Sequence, residues 1–263
     1  MQTHISPAVC STHLEAAWAL LQKVYDEEML YPGSPVTPEL VSLNLDHAER
    51  VRSAAVKIAA AEGLDCEVLE LAAILHDVAK LDHRETSSGG IDTWHHHHRG
   101  ASLARKVMLV NLKLDPHIVR RVVRMVEAHS DIPFIRRFWE NVYHCDLPTP
   151  STDEEFALRD ADTIDLIWVG GMRKIVHFRQ VSGSAFFVED EGDIQKAIAS
   201  ARRSFLESVC VLATDTGRSI ARDRILNVES FFDQVLHVRD LRQFDQTYDD
   251  FIAGIEKAGA KSA

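Results

Sequence analysis

Cysteine is scarce in this chain. Four occur among 263 residues, Cys10, Cys66, Cys145 and Cys210, far apart and with no C-x-x-C pair. That excludes a disulfide framework and a zinc knuckle and points to a reducing, cytoplasmic setting. Long apolar runs are missing too: nowhere do 18 apolar residues stand together, and no basic stretch near the N-terminus leads into an apolar segment. No membrane span or signal peptide is expected, and the protein reads as soluble. Positive charge is in deficit, with 29 Lys and Arg against 40 Asp and Glu, a formal net charge of -11. Such a surface repels a polyanionic backbone, which argues against a nucleic-acid polymer as partner; a small anionic substrate would need a metal or local cations. The chain has no P-loop, no G-x-S-x-G elbow and no Cys/His pairing, so neither nucleotide-driven work nor a side-chain nucleophile is foreseen.

Alternation of apolar and polar residues long enough for a sheet is also lacking, whereas helical periodicity runs almost throughout, so the fold class is all-α. With no internal repeat or long linker, 1–263 reads as a single domain. A first helix is expected over 12–30, ended by Tyr31-Pro32-Gly33-Ser34-Pro35. A second opens near Asn44 or Asp46, with His47 at its start, and stops at Gly63. Asp65 caps a third, in which Leu69, Ala72 and His76 share the buried face. A fourth carries Gly100, Leu103, Val107 and Val110 on one stripe that reaches back to His96. Asp115-Pro116 opens a fifth, which turns Ile118, Val122, Met125, Val126 and His129 inward. The aromatic stretch from Asp131 to Pro150 suits a lid or wall. Ser151 and Glu154 make a capping box for a helix through Asp160, Asp162 and Asp165, which Gly170-Gly171 kinks or ends. Two or three more amphipathic helices follow over 193–255.

The strongest local signal is Leu71-Ala72-Ala73-Ile74-Leu75-His76-Asp77-Val78-Ala79-Lys80, where a titratable doublet sits in the middle of a core-like helix. Burying both groups needs compensation. A divalent metal supplies it, since imidazole and carboxylate are ordinary ligands for transition metals; so does a neighbouring carboxylate paired with a buried His. The order His47, His76-Asp77, Asp162 (H…HD…D) resembles the HD superfamily of metal-dependent phosphohydrolases. His47-Ala48-Glu49-Arg50-Val51 is similar to its first motif, Leu75 to Lys80 to its second, and Arg159 to Asp165 to its last. A closer resemblance is to small bacterial HD hydrolases, some of which split nucleoside triphosphates. These share the D-A-D-x-[IL]-D run of Asp160 to Asp165, the Gly170-Gly171-Met172-Arg173 segment, and a T-x-x-[GA]-[RK]-x-[LI]-A-x-x-R signature matched from Thr214 to Arg224. The resemblance spans about 44–240 and breaks at Val78-Ala79, where many relatives have Ile-Gly or an added Asp.

The resemblance implies an HD-type helical bundle, with HD motifs over 44–180 and the C-terminal helices packed on it. It makes His47, His76, Asp77 and Asp162 metal ligands, with Asp77 able to bridge two ions; Asp160 shares an apolar stripe and is the alternative last ligand. His96, four residues before Gly100-Ala101, and His129 match the extra histidines of binuclear relatives and would hold a second ion, or else are core residues and hydrogen-bond partners of the ligands. His97 is a weaker candidate, and His95 and His98 read as solvated. Arg50 and Lys80 lie one helical turn from His47 and His76-Asp77 and suit phosphate clamps, or equally surface salt bridges, with Glu49 and Asp165 orienting them. The implied cofactor is one or two divalent ions, Mn, Fe, Co, Ni or Zn, with Mg compatible. The implied partner is a small phosphorylated substrate such as a nucleotide; a homo-oligomer is compatible with the sequence. Two other functions share these ligands: an HD-type di-iron oxygenase and a non-catalytic nucleotide-sensing module.

Overall fold

In the computed structural model, the described residues are 9–83, 95–131, 136, 147–181 and 193–260, and among them there are helices but no strand. The all-α expectation is met. Thr37 accepts a hydrogen bond from the Leu40 amide at 3.3 Å, and Pro38 takes the first helical position, so α2 runs Pro38–Glu62 after α1 (Ser11–Leu30). That start is earlier than the sequence suggested. The Thr-Pro pair is itself a helix-opening signal, and it places His47 well inside α2 rather than at its head. Gly63 ends α2 in the left-handed conformation, and Asp65 caps α3 (Cys66–Leu75).

His76 is the C-cap of α3, not a mid-helix residue. Beyond it the chain tightens into turns, with the Val78 amide donating to the Leu75 carbonyl and the Lys80 amide to that of Asp77.

Helix α4 (His96–Lys106) passes into a π-helical turn, Val107–Asn111. This wider turn breaks the 3.6-residue phase, and Val110, expected on the buried stripe, is 64% exposed. Asp115 and Pro116 open α5 (Pro116–Ala128) as read. Helix α6 (Asp153–Leu166) is capped by Thr152, one residue later than expected, because the Ser151 amide and hydroxyl both donate to the Glu155 carboxylate. Then follow α7 (Val169–Val181), α8 (Ile194–Val211), α9 (Asp215–Val235) and α10 (Leu241–Ala260). The expected aromatic wall between Asp131 and Pro150 lies largely outside the described residues.

Helix α2 packs chiefly against α3 and α6, α4 against α5, and α7 against α8. A single cluster of buried side chains runs from Val9 to Phe244. None of the described helices is long and apolar enough to cross a membrane.

Two joints fix α6, the helix that brings Asp162 and Asp165 inward. A Cβ on Gly171 would collide with the Asp165 carbonyl oxygen, so only glycine lets α7 fold back this closely. From the other side, Oδ2 of Asp160 accepts from the Ala213 amide (2.9 Å), the Thr214 amide (2.7 Å) and the Thr214 hydroxyl (2.9 Å). Arg159 donates to the Val211 carbonyl, and Arg224 to that of Ile164 at 2.9 Å. The Thr214 to Arg224 signature thus grips α6 from behind.

Asp160 is fully buried. Replacing it by Ala leaves two amides and a hydroxyl without their acceptor, at about 1–3 kcal/mol for each that stays dry. Asp160→Ala is expected to lower unfolding stability by roughly 2–4 kcal/mol in urea titrations, while metal content per folded chain stays at the wild-type value.

Candidate metal centre

Three imidazoles point the same ring atom at one place, and the chain dictates which atom that is. Nδ1 of His76 lies 2.7 Å from the Ala73 carbonyl, and Nδ1 of His129 lies 2.6 Å from the Val126 carbonyl. A carbonyl only accepts, so both Nδ1 atoms carry the proton and each neutral ring offers its Nε2 lone pair. Nδ1 of His47 faces Asp165 at 2.7 Å, and Asp165 is held in turn by Arg50 through Nε (2.5 Å) and Nη2 (3.1 Å). Nε2 of His47 and Nε2 of His76 stand 3.2 Å apart.

The carboxylates complete the cluster. Oδ1 of Asp162 is 3.2 Å from His47 and 3.8 Å from His76. Oδ2 of Asp77 is 3.4 Å from His47 and 3.5 Å from His76, and among the described residues it has no hydrogen-bond donor although buried. The other oxygen of Asp77 faces His96 (3.1 Å), His129 (3.5 Å) and the Lys80 ammonium (3.2 Å). Nε2 of His96 and Nε2 of His129 are 3.2 Å apart, with the Ser130 hydroxyl within 3.3 Å of both. Tyr25 steadies the turn by donating to the Asp77 carbonyl at 2.9 Å. Gly100 permits the approach of α4, since a Cβ there would stand 3.3 Å from the His76 carbonyl.

Lone pairs and carboxylates gathered this closely repel unless a cation lies among them. Two overlapping groups have the spacing to hold one: His47, His76 and Asp162, and His76, Asp77 and His129. The unsatisfied Oδ2 of Asp77 and the imposed tautomers fit such an ion. With only protons available, His47 takes the positive charge. Burial and the Lys174 ammonium oppose it, but Asp162, Asp165 and Asp77 prevail and hold its pKa up at about 9. Asp77 is kept well below the usual carboxylate range: burial resists this, and Lys80, His76 and His96 overcome it. Burial and Lys80 push His96 down to about 4.

His47, His76, Asp77, Asp162, His96 and His129 therefore gather in one cluster, whereas Asp160 turns to the α8–α9 corner. Arg50 does not face the cluster; it spends its guanidinium on Asp165, behind His47. Lys80 does face it, 3.2 Å from both Asp77 and His96. His97 is buried, His95 half-buried and His98 exposed. Two residues escaped the sequence reading, Ser130 and Lys174. Lys174 is buried on α7, and burial and the charge of Lys80 bring its pKa down to about 8 against the pull of Asp77, Asp165 and Asp162. The only signal for it was its place one turn beyond Gly170-Gly171, and helical phase is lost across that break.

The HD domain family profile matches residues 44–167. No curated protein matches the chain. Among solved structures, it is similar to Bacillus subtilis YpgQ in complex with ADP (TM-score 0.53, 20% identity, 84% of this chain and 94% of that one). A protein from Lactobacillus plantarum is similar as well (TM-score 0.52, 18% identity, 84% and 95%). So is a predicted HD superfamily hydrolase from an uncultured Thermotogales bacterium (TM-score 0.49, 21% identity, 85% and 91%). At these identities the YpgQ and Lactobacillus structures establish a shared fold. The matched segment begins at Asn44 and ends at Ile167, which encloses the whole histidine and aspartate cluster, and that stretch of the chain is an HD domain.

Proposed function

We propose that this protein is a metal-dependent phosphohydrolase that cleaves a small phosphate ester or phosphoanhydride, with a nucleotide as the first substrate to test. The observation that carries this reading is the convergence of imidazole lone pairs on the carboxylates of Asp77 and Asp162, with the Lys80 ammonium 3.2 Å from Asp77 and His96. The ADP bound to YpgQ supports the choice of nucleotide. His47, His76, Asp77 and Asp162 would hold one divalent ion; His96 and His129, sharing Asp77, would hold a second. The mixed nitrogen and oxygen donors suit Mn, Fe, Co, Ni or Zn.

Such an ion brings the pKa of water toward neutrality and polarises a phosphoryl oxygen. The chain does the rest. The carboxylates and imidazoles of the cluster would be taken up as metal ligands, so the attacking group is water and not a side chain. Lys80 neutralises charge that builds on the phosphoryl oxygens. Asp165, clamped by Arg50, orients His47 and keeps its lone pair inward. Arg50 is in this reading a positioning residue, and Lys80 contacts the substrate.

Three outcomes are expected. Asp77→Ala should lose bound metal and phosphate release together, as read by elemental analysis and by turnover of nucleotides and generic phosphoesters with added Mn²⁺, Co²⁺ or Ni²⁺. Full retention of both overturns the assignment, and oxygen uptake with tightly held iron but no phosphate release would make the protein an oxygenase. Wild type is expected to bind two equivalents of metal and the double variant His96→Ala/His129→Ala one; one equivalent in each refutes the second site. Lys80→Ala should keep its metal and lose roughly 2–4 kcal/mol of transition-state stabilisation in kcat/KM, whereas Arg50→Ala should weaken metal affinity by about 10- to 100-fold through His47. Metal titrations separate the two.

A further inference from the structure

Ser130 stands where a ligand would. Its buried hydroxyl oxygen lies 3.0 Å from Nε2 of His129 and 3.3 Å from Nε2 of His96, and those two nitrogens are 3.2 Å apart. Oδ1 of Asp77 completes the set, at 3.1 Å from His96 and 3.5 Å from His129. Donor atoms that share one ion at about 2.0–2.2 Å stand roughly 2.8–3.6 Å from one another in tetrahedral or octahedral geometry. All these separations fall in that range.

The chain builds this corner as it builds the one after α3. His76 and His129 each form the C-cap of their helix, and each turns Nδ1 to the carbonyl three residues back, at 2.7 and 2.6 Å. Each is followed by an oxygen-bearing side chain that faces the cluster, the carboxylate of Asp77 in one case and the hydroxyl of Ser130 in the other. The next acid, Asp131, is taken by Arg136 at 2.8 and 2.6 Å. A hydroxyl has one proton and two acceptor lone pairs, so beside two imidazole nitrogens it can donate to only one. Once both nitrogens direct their lone pairs to an ion, the serine oxygen is left facing that ion. Resting on the two-ion reading above, we propose that Ser130 is a ligand of the second ion, joining His96, His129 and Asp77 with a neutral oxygen. The Lys80 ammonium also reaches Asp77 and His96, at 3.2 Å each, and must withdraw from them as the ion enters.

The test reads metal binding and not turnover. Full-length wild type and Ser130→Ala are titrated with Mn²⁺ by calorimetry, with the bound equivalents counted by elemental analysis. The first equivalent should bind alike in both, and the second at least about 10-fold more weakly in Ser130→Ala. Ser130→Cys loaded with two equivalents of Co²⁺ should show a sulfur-to-cobalt charge-transfer band in the near ultraviolet that Co²⁺-loaded wild type lacks. That band requires a Co–S bond, which a serine serving only to pack or to hold a histidine in place would not produce. Equal affinity for the second equivalent in wild type and Ser130→Ala overturns the assignment, and so does Co²⁺-loaded Ser130→Cys without the band. A wild type that hydrolyses phosphoesters with one ion alone removes the second site and this inference with it, and leaves the phosphohydrolase reading standing. Two ions in wild type and a weakened second ion in Ser130→Ala, with no phosphoester hydrolysed, sustain Ser130 as a ligand and overturn the phosphohydrolase reading.

Discussion

Asp77 is a carboxylate sunk in an apolar bundle, and the rest of the molecule is arranged around the need to compensate it. Each oxygen is addressed from a different side, one by His47 and His76, the other by His96, His129 and Lys80. Desolvation alone would favour the protonated acid. The surrounding positive charge and donors reverse that preference, so a negative group persists where burial would normally remove it. Five separate elements must be held in place for this: α2, the turn after α3, α4, the end of α5, and α6. The close approaches at Gly100 and Gly171 and the carbonyl contacts behind His76 and His129 serve that registration.

Much of this was legible in the chain. The inward stripes that carry His76, His96 and His129 follow from helical periodicity alone, and the order of His47, His76-Asp77 and Asp162 suggested the superfamily before any coordinates. What periodicity conveys is the side of a helix on which a residue lies. It conveys nothing about where a helix stops, so His76 was read as mid-helix when it is the cap whose turns aim Asp77. Nor does it survive a change of helical pitch, which is why Val110 was assigned to the core and lies outside it.

The charged residues were the least legible. Arg50 and Lys80 look equivalent in sequence, each one turn from a histidine, yet one is turned behind His47 onto Asp165 and the other into the cluster. Asp160 and Asp162 both sit on apolar stripes of one helix. The difference between them is made by Ala213 and Thr214, whose amides meet Asp160 from about fifty residues downstream. Contacts of that range are invisible to local pattern. Lys174 went unnoticed for a related reason, since the charges that act on it come from two other elements, the turn after α3 and α6.

The grip of the α8–α9 corner on α6 bears on what counts as a module here. The stretch that carries the superfamily's sequence pattern ends at Ile167, yet Asp160 within it draws its donors from Ala213 and Thr214, and the Ile164 carbonyl draws its own from Arg224. Cut at the pattern's edge, the segment would leave Asp160 with Arg159 alone and its other oxygen without a donor in an oily interior. The recognisable unit of inheritance is therefore smaller than the unit that folds. Recombination or grafting that moves the motif without its rear brace would transfer the ligands but not the scaffold that keeps them in register.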